Sequence, residues 1–170
     1  SYYKKDWGFC LPHSEREKLS EGEYQVVIRG TLEPGNLTYA DLYIPSTEDG
    51  DEEIFISTYI CHPSMANNEL SGPVVATFLA KWLKGKSYRR YNYKIIFIPE
   101  TIGSITYLSR HWQELKKKVV AGFNLTCVGD DRCYSYVPTR KGKTMADQIA
   151  LHVLQHQSPD FKRYTFLDRG

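Results

Sequence analysis

Along this chain the spacing of apolar positions changes character near residue 53. Before it, short apolar runs separated by turn residues read as β structure. Gln25-Val26-Val27-Ile28 and Ala40-Asp41-Leu42-Tyr43-Ile44 are strand-like, and Leu32-Glu33-Pro34-Gly35-Asn36 reads as the turn between them. The aromatic run from Tyr2 to Leu11 is a further expected strand, so residues 1–45 are expected to be β-rich. The stretch Thr47-Glu48-Asp49-Gly50-Asp51-Glu52-Glu53 has no apolar pattern and is taken as the domain boundary. Beyond it, strands alternate with helices. Strands are expected at 54–60, 93–98 and 119–128, with short ones near 134–137 and 163–167. Helices are expected at 73–84, 103–117 and 143–155. In the first helix Val74, Val75, Phe78, Leu79, Trp82 and Leu83 recur at helical spacing, and Pro73 suits a first turn, where its missing N–H is not needed. Such alternation predicts an α/β fold with a mostly parallel sheet flanked by helices on both faces.

Composition narrows the function classes. The 170 residues suffice for one domain with a real core, and 41% hydrophobic and 25% charged content are ordinary for a globular protein. A net charge of +2 gives no reason to expect a nucleic-acid or membrane partner. The Lys116-Lys117-Lys118 run reads as a solvated helix end. No apolar run approaches a membrane span, and the N-terminus does not read as a signal peptide. Four cysteines, at 10, 61, 127 and 133, show no CxxC spacing. Cys61 and Cys127 lie in apolar runs, which predicts buried free thiols and a reduced, cytoplasmic setting. Both ends of the chain read as cut, which predicts a fragment of a longer protein.

The candidate chemistry sits where the expected strands end: at His62, at Pro99-Glu100-Thr101, and at Thr126-Cys127-Val128-Gly129-Asp130-Asp131. Parallel strands put these ends on one edge of the sheet, so the three clusters are expected to converge. His62 is the first metal-ligand candidate, because a neutral imidazole binds zinc well and a carboxylate follows in the same loop; a hydrogen-bonding histidine at a strand end is the plainer alternative. Glu69 is either a second ligand or a residue favoured by the start of the following helix. Asn67 and Asn68, neutral amides, suit loop shaping or substrate contacts better than metal binding. Glu100, after an apolar strand and a proline, is expected to be partly desolvated and to serve as a general base; helix capping is the alternative. Asp130 and Asp131 are open to roles as ligands, turn formers or surface groups, with the turn role the first choice, and His152 with His156 reads as a surface pair. A cysteine-hydrolase reading is set aside, because Cys61 and His62 on an extended strand would point to opposite faces.

The runs H-P-S-M-A-N-N-E-L-S-G, F-I-P-E-T-I-G-S and G-F-N-L-T-C-V-G-D resemble the co-catalytic zinc aminopeptidases of the bacterial leucyl-aminopeptidase type. Within them the chain is most similar to a branch of bacterial aminopeptidase-like proteins linked to polysaccharide biosynthesis. The resemblance implies that residues 1–46 are the tail of a small inserted β-rich domain and residues 53–170 the middle of the peptidase domain, with a further ligand histidine downstream. It places His62 at the first zinc histidine and Glu100 at the general base. It also shows departures. Asn68 stands where the family has a zinc-bridging aspartate, Thr101 where it has a second glutamate, and Thr126 where it has a strand-end aspartate. These losses favour one zinc over two, held by His62, Glu69 and the downstream histidine, with Asn68 and Thr101 left for substrate.

The resulting expectation is a zinc-dependent hydrolase acting on a small peptide or amide-containing substrate. Two rivals remain: a non-catalytic binding domain that keeps the peptidase fold, and an amide hydrolase acting on an amino sugar or polysaccharide precursor.

Overall fold

The computed structural model describes residues 8–62 and 64–168. The chain divides into two compact units, residues 1–35 and 36–170. In the first, the described residues form one short helix, α1 (His13–Arg16), and otherwise irregular backbone. The strand expected at Gln25–Ile28 does not form. Val27 and Ile28 are exposed and, among the described residues, no neighbouring strand pairs with them; a strand needs such a ladder to satisfy its backbone N–H and C=O groups. Of the strand expected over 2–11, residues 8–11 are likewise irregular and the remainder lies outside the described residues.

The second unit is built on a four-stranded sheet of β1 (Ala40–Ile44), β2 (Glu53–Tyr59), β3 (Asn92–Ile98) and β4 (Val119–Asn124), in the order β1-β3-β2-β4. β2 runs parallel to both β3 and β4, while β1 pairs antiparallel with β3 at the edge. The mostly parallel α/β sheet expected from the sequence is therefore present. The acidic stretch 47–52 links β1 to β2 within this one sheet, and its first residues are held by the loop before β3: Thr47 N–H donates to Arg89 O at 2.9 Å and Ser46 N–H to Asn92 Oδ1 at 2.9 Å.

Three longer helices follow the parallel strands: α3 (Ser71–Lys84), α4 (Ile102–Lys118) and α5 (Met145–Gln157); a single turn, α2 (Ala66–Glu69), precedes α3. The alternation of side chains along β3 explains the layering. Ile95 faces one way, into a core with Ile44, Ile56, Ala76, Ala80 and Leu83. Ile96 and Ile98 face the other way, with Tyr107 and Leu115. Thus α3 covers one face of the sheet and α4 the opposite face. A two-stranded parallel pair, β5 (Ser135–Tyr136) with β6 (Lys162–Arg163), forms a separate small sheet. The final strand expected over 163–167 is shorter than its pattern and passes into a 3-10 turn, Phe166–Asp168, where Asp168 accepts bonds from Thr165 N and Oγ1 at 2.7 Å each.

Candidate functional site

The strand order decides where a site is built. From β2 the chain leaves to α3 on one face; from the adjacent β3 it leaves to α4 on the other. Loops that diverge from neighbouring parallel strands open a crevice at their carboxyl ends, where open α/β sheets take their ligands. His62 follows β2 and Glu100 follows β3, so both sit at this crevice. His62 Nε2 lies 3.6 Å from Glu100 Oε2.

Glu69 comes to the same place from α2. Its side chain is buried and turns back onto the loop it follows: Oε2 accepts from Cys61 N–H at 2.6 Å, and the Cys61 thiol lies 3.7 Å from Oε1. It does not cap α3, the alternative raised by its position. The donor atoms of Cys61, His62 and Glu69 all lie within 4.8 Å of one another. Cys61 also ties the loop to β3, its sulfur accepting from Glu100 N–H at 3.3 Å.

The third strand end closes the cluster. Tyr59, the last residue of β2, shares a hydrogen bond with Thr126, and Asn68 Nδ2 donates towards Tyr59 Oη at 3.4 Å and Cys127 Sγ at 3.5 Å. Asn67 Oδ1 accepts from Gly129 N–H at 2.9 Å, and its Nδ2 donates to Asp130 Oδ2 at 3.1 Å. Ser71 bonds to Asn67 O and accepts from Val128 N–H at 3.0 Å. The three strand-end clusters thus converge as expected, and Asn67 shapes the loop. Close approach is built in by glycine: a Cβ on Gly72 would lie 2.3 Å from both Leu125 O and Thr58 Oγ1.

Glu100 is half withdrawn from water, its side chain being 51% exposed. Thr101 has φ 57° and ψ −74°, and Ile102 N–H donates to Glu100 O at 2.7 Å, a tight three-residue turn of the rarer, strained hand. Several expectations need correction. Cys127 is exposed, because β4 ends at Asn124, short of the expected strand. Cys61 and His62 do not point to opposite faces, since β2 ends at Tyr59 and the alternation of a strand no longer applies. The Cys61 thiol instead faces the buried Glu69 carboxylate, 3.7 Å away, and burial with Glu69 nearby pushes it up, which does not favour a nucleophile. The sequence also gave no weight to Cys61 as a partner of His62 and Glu69. Its adjacency to His62 was the available signal.

Elsewhere the groups resolve into structural roles. Asp130 is a turn former: Arg132 bonds it through Nη2 at 2.9 Å and through backbone N–H at 3.1 Å, holding its carboxyl down at about 2. His152 and His156 stack on the surface of α5 with ring centroids 4.4 Å apart.

The α/β sheet thus gathers imidazole, carboxylate and thiol groups at its carboxyl edge. The chain belongs to the family described as "Domain of unknown function (DUF4910)", which it matches over residues 5–170. It is 44% identical over all 170 residues to a Clostridium acetobutylicum protein described as a "putative polysaccharide biosynthesis protein with aminopeptidase-like domain", of which it spans 38%. It also superposes on a crystal structure of a "putative peptidase" from Clostridium acetobutylicum, with a TM-score of 0.81 and 43% identity, covering 98% of this chain and 38% of that one. The chain therefore spans well under half the length of these relatives.

Proposed function

We propose that this chain holds part of the active centre of a zinc-dependent, aminopeptidase-like hydrolase that cleaves an N-terminal peptide bond or a related amide bond. The observation that carries this reading is the 3.6 Å approach of His62 to Glu100 in the crevice between β2 and β3. The naming of the relatives as peptidase-like supports it. His62 and Glu69 would hold the metal. The fit rests on the donors themselves: an exposed imidazole and a buried carboxylate that has no ion-pair partner among the described residues. When bound, zinc supplies a Lewis acid and lowers the pKa of water.

The protein's own groups then divide the work. Glu100, half-exposed at the mouth of the crevice, takes the proton of the attacking water and returns it to the leaving amine. Asn68 contacts substrate through its amide; its Oδ1 has no hydrogen-bond partner among the described residues and is available as an acceptor. Thr101, next to Glu100 and exposed on the turn, is the second substrate contact. A reducing cytoplasm is the setting in which the four free cysteines persist. No helix among the described residues is long and apolar enough to cross a membrane.

The test is metal content and hydrolysis by the full-length protein. About one zinc per chain, lost on His62→Ala, together with cleavage of an aminoacyl anilide, supports the reading. Cleavage confined to N-acyl amino sugars would move the substrate to the polysaccharide precursor that the relative's name suggests. Failure to bind zinc when it is supplied would leave the non-catalytic binding domain, which the neutral Asn68, Thr101 and Thr126 favour.

A further inference from the structure

We propose that Cys61 is itself a metal ligand, so that this edge of the sheet binds one zinc-class ion through a thiolate, an imidazole and a carboxylate. This deepens the hydrolase reading and rests on it. Three observations lead here. The first is spacing. A tetrahedral zinc with bonds of about 2.0–2.3 Å sets its ligand atoms about 3.3–3.7 Å apart. Cys61 Sγ and Glu69 Oε1 already stand 3.7 Å apart, and the donor atom of His62 completes a triangle with no side above 4.8 Å.

The second is charge. Glu69 is 5% exposed, yet its carboxylate meets only the Cys61 backbone N–H and thiol among the described residues, with no ion-pair partner. A buried carboxylate without a cation is costly. A divalent ion shared with a thiolate neutralises both anions; the thiol proton passes to solvent as the sulfur–metal bond forms. At the same edge Asn68, Thr101 and Thr126 bring no charge and Glu100 serves as the base, so Cys61, with its sulfur 3.7 Å from Glu69 Oε1, is the remaining anionic donor beside the buried carboxylate.

The third is accessibility. Cys61 is half-buried and Glu69 buried, whereas the His62 side chain is 53% exposed. Three protein donors with one open side are the arrangement of catalytic zinc centres, in contrast to the four closed ligands of structural ones, so Cys61 takes the place in the donor set that the sequence assigns to a downstream histidine. A donor set of sulfur, nitrogen and oxygen selects zinc or cobalt over magnesium or manganese.

Cobalt is the probe. The full-length protein is stripped with chelator and titrated with Co²⁺ while the near-ultraviolet sulfur-to-cobalt charge-transfer band is followed. The band should grow to one equivalent in the wild type, disappear in Cys61→Ser, and persist in Cys127→Ser. Cobalt affinity in Cys61→Ser should fall by more than the roughly 10- to 100-fold that loss of an outer-shell partner costs. Because Cys61→Ser also alters the loop, the wild type supplies a second readout: bound zinc should slow alkylation of Cys61, mapped by mass spectrometry, at least about tenfold while leaving Cys10 unaffected. Stoichiometric cobalt without the thiolate band, or alkylation of Cys61 unchanged by zinc, overturns the Cys61 assignment and leaves a metal on His62 and Glu69 standing. Absence of any metal binding overturns both.

Discussion

At Thr101 the backbone occupies a region that a β-branched residue rarely visits, and it does so directly after Glu100. Strain of this kind costs about 1–3 kcal/mol and persists only where the surroundings impose it. Here the imposing contact is Gly103, whose missing Cβ would stand 2.9 Å from Pro99 Cδ and 3.1 Å from Ile98 Cβ; α4 is pressed onto the end of β3 and the chain between them must turn within three residues. Thr101→Gly should therefore raise stability by about 1 kcal/mol, the relieved strain less the added freedom of glycine in the unfolded chain, as read by the denaturant midpoint. Glu100→Gln should leave zinc content unchanged and lower kcat by about 100-fold or more, measured on the substrate the panel identifies. Retention of full hydrolysis by that variant would remove Glu100 from the base role.

The elements are joined to the site through close backbone contacts and buried hydrogen bonds. The start of α3 is seated against the ends of β2 and β4 at Gly72. Gly72→Ala would drive a Cβ into the Leu125 carbonyl, an obstacle that no side-chain rotation removes. Destabilisation of about 3 kcal/mol is expected, with loss of metal binding at His62 and Glu69 as the loop before α3 shifts. At the other end of the unit, Asp147 organises α5, β5 and the loop between them. It is 2% exposed and accepts from Tyr136 Oη at 2.9 Å, from Thr139 N–H at 2.8 Å and Oγ1 at 2.6 Å, and from Thr144 N–H at 2.8 Å and Oγ1 at 2.7 Å. Burial alone would push this carboxyl up, but the Thr139 and Thr144 donors outweigh it and hold the group well below the usual carboxylate range. Tyr136 meanwhile is pushed up to about 12 by burial and by Asp147, so it remains a donor at every working pH. A carboxyl depressed in the folded state contributes stability that is present above its unfolded value of about 3.9 and is lost as pH falls through the folded value. Acid unfolding should therefore set in below about pH 4. Asp147→Asn, which turns an amide N–H₂ towards a ring of donors, should cost about 3 kcal/mol at neutral pH and flatten the acid limb of the stability profile.

At the scale of the whole molecule, the sheet has helices on both faces, but those helices keep apolar outer surfaces. Val74, Phe78 and Trp82 of α3 are exposed, as are Ile102, Ile105 and Trp112 of α4. A shallow hollow of about 410 Å³ lies on α3 beside Phe78, Trp82 and Lys86. Contiguous apolar surface of this kind promotes association. Residues 36–170 expressed alone should associate in a concentration-dependent manner by light scattering, and the double variant Phe78→Glu, Trp82→Lys should reduce it. The helical period legible in α3 is the same fact seen from the sequence: of Val74, Val75, Phe78, Leu79, Trp82 and Leu83, only Leu83 is buried and Leu79 packs beside it, while the rest of the burial falls on Gly72, Ala76 and Ala80. Periodicity reports a helix and its apolar residues, not which of them meets the sheet. The order of strands and helices, and the placing of His62 and Glu100 at strand ends, followed from local pattern, because a strand's period and its terminating polar residues are written in consecutive positions. Non-local pairing could not be read in the same way. The failure of Gln25–Ile28 to form a strand, the antiparallel seat of β1 beside β3, and the divergence of α3 and α4 to opposite faces depend on partners distant along the chain. So do the inward turn of Glu69, the exposure of Glu100 and the meeting of Cys61 with both ligand candidates. The sequence by itself determined which residues could do chemistry at the edge of a parallel sheet. Only the tertiary structure decided which of them stand within bonding reach, because that reach is set by the order of the strands and the faces to which their loops depart.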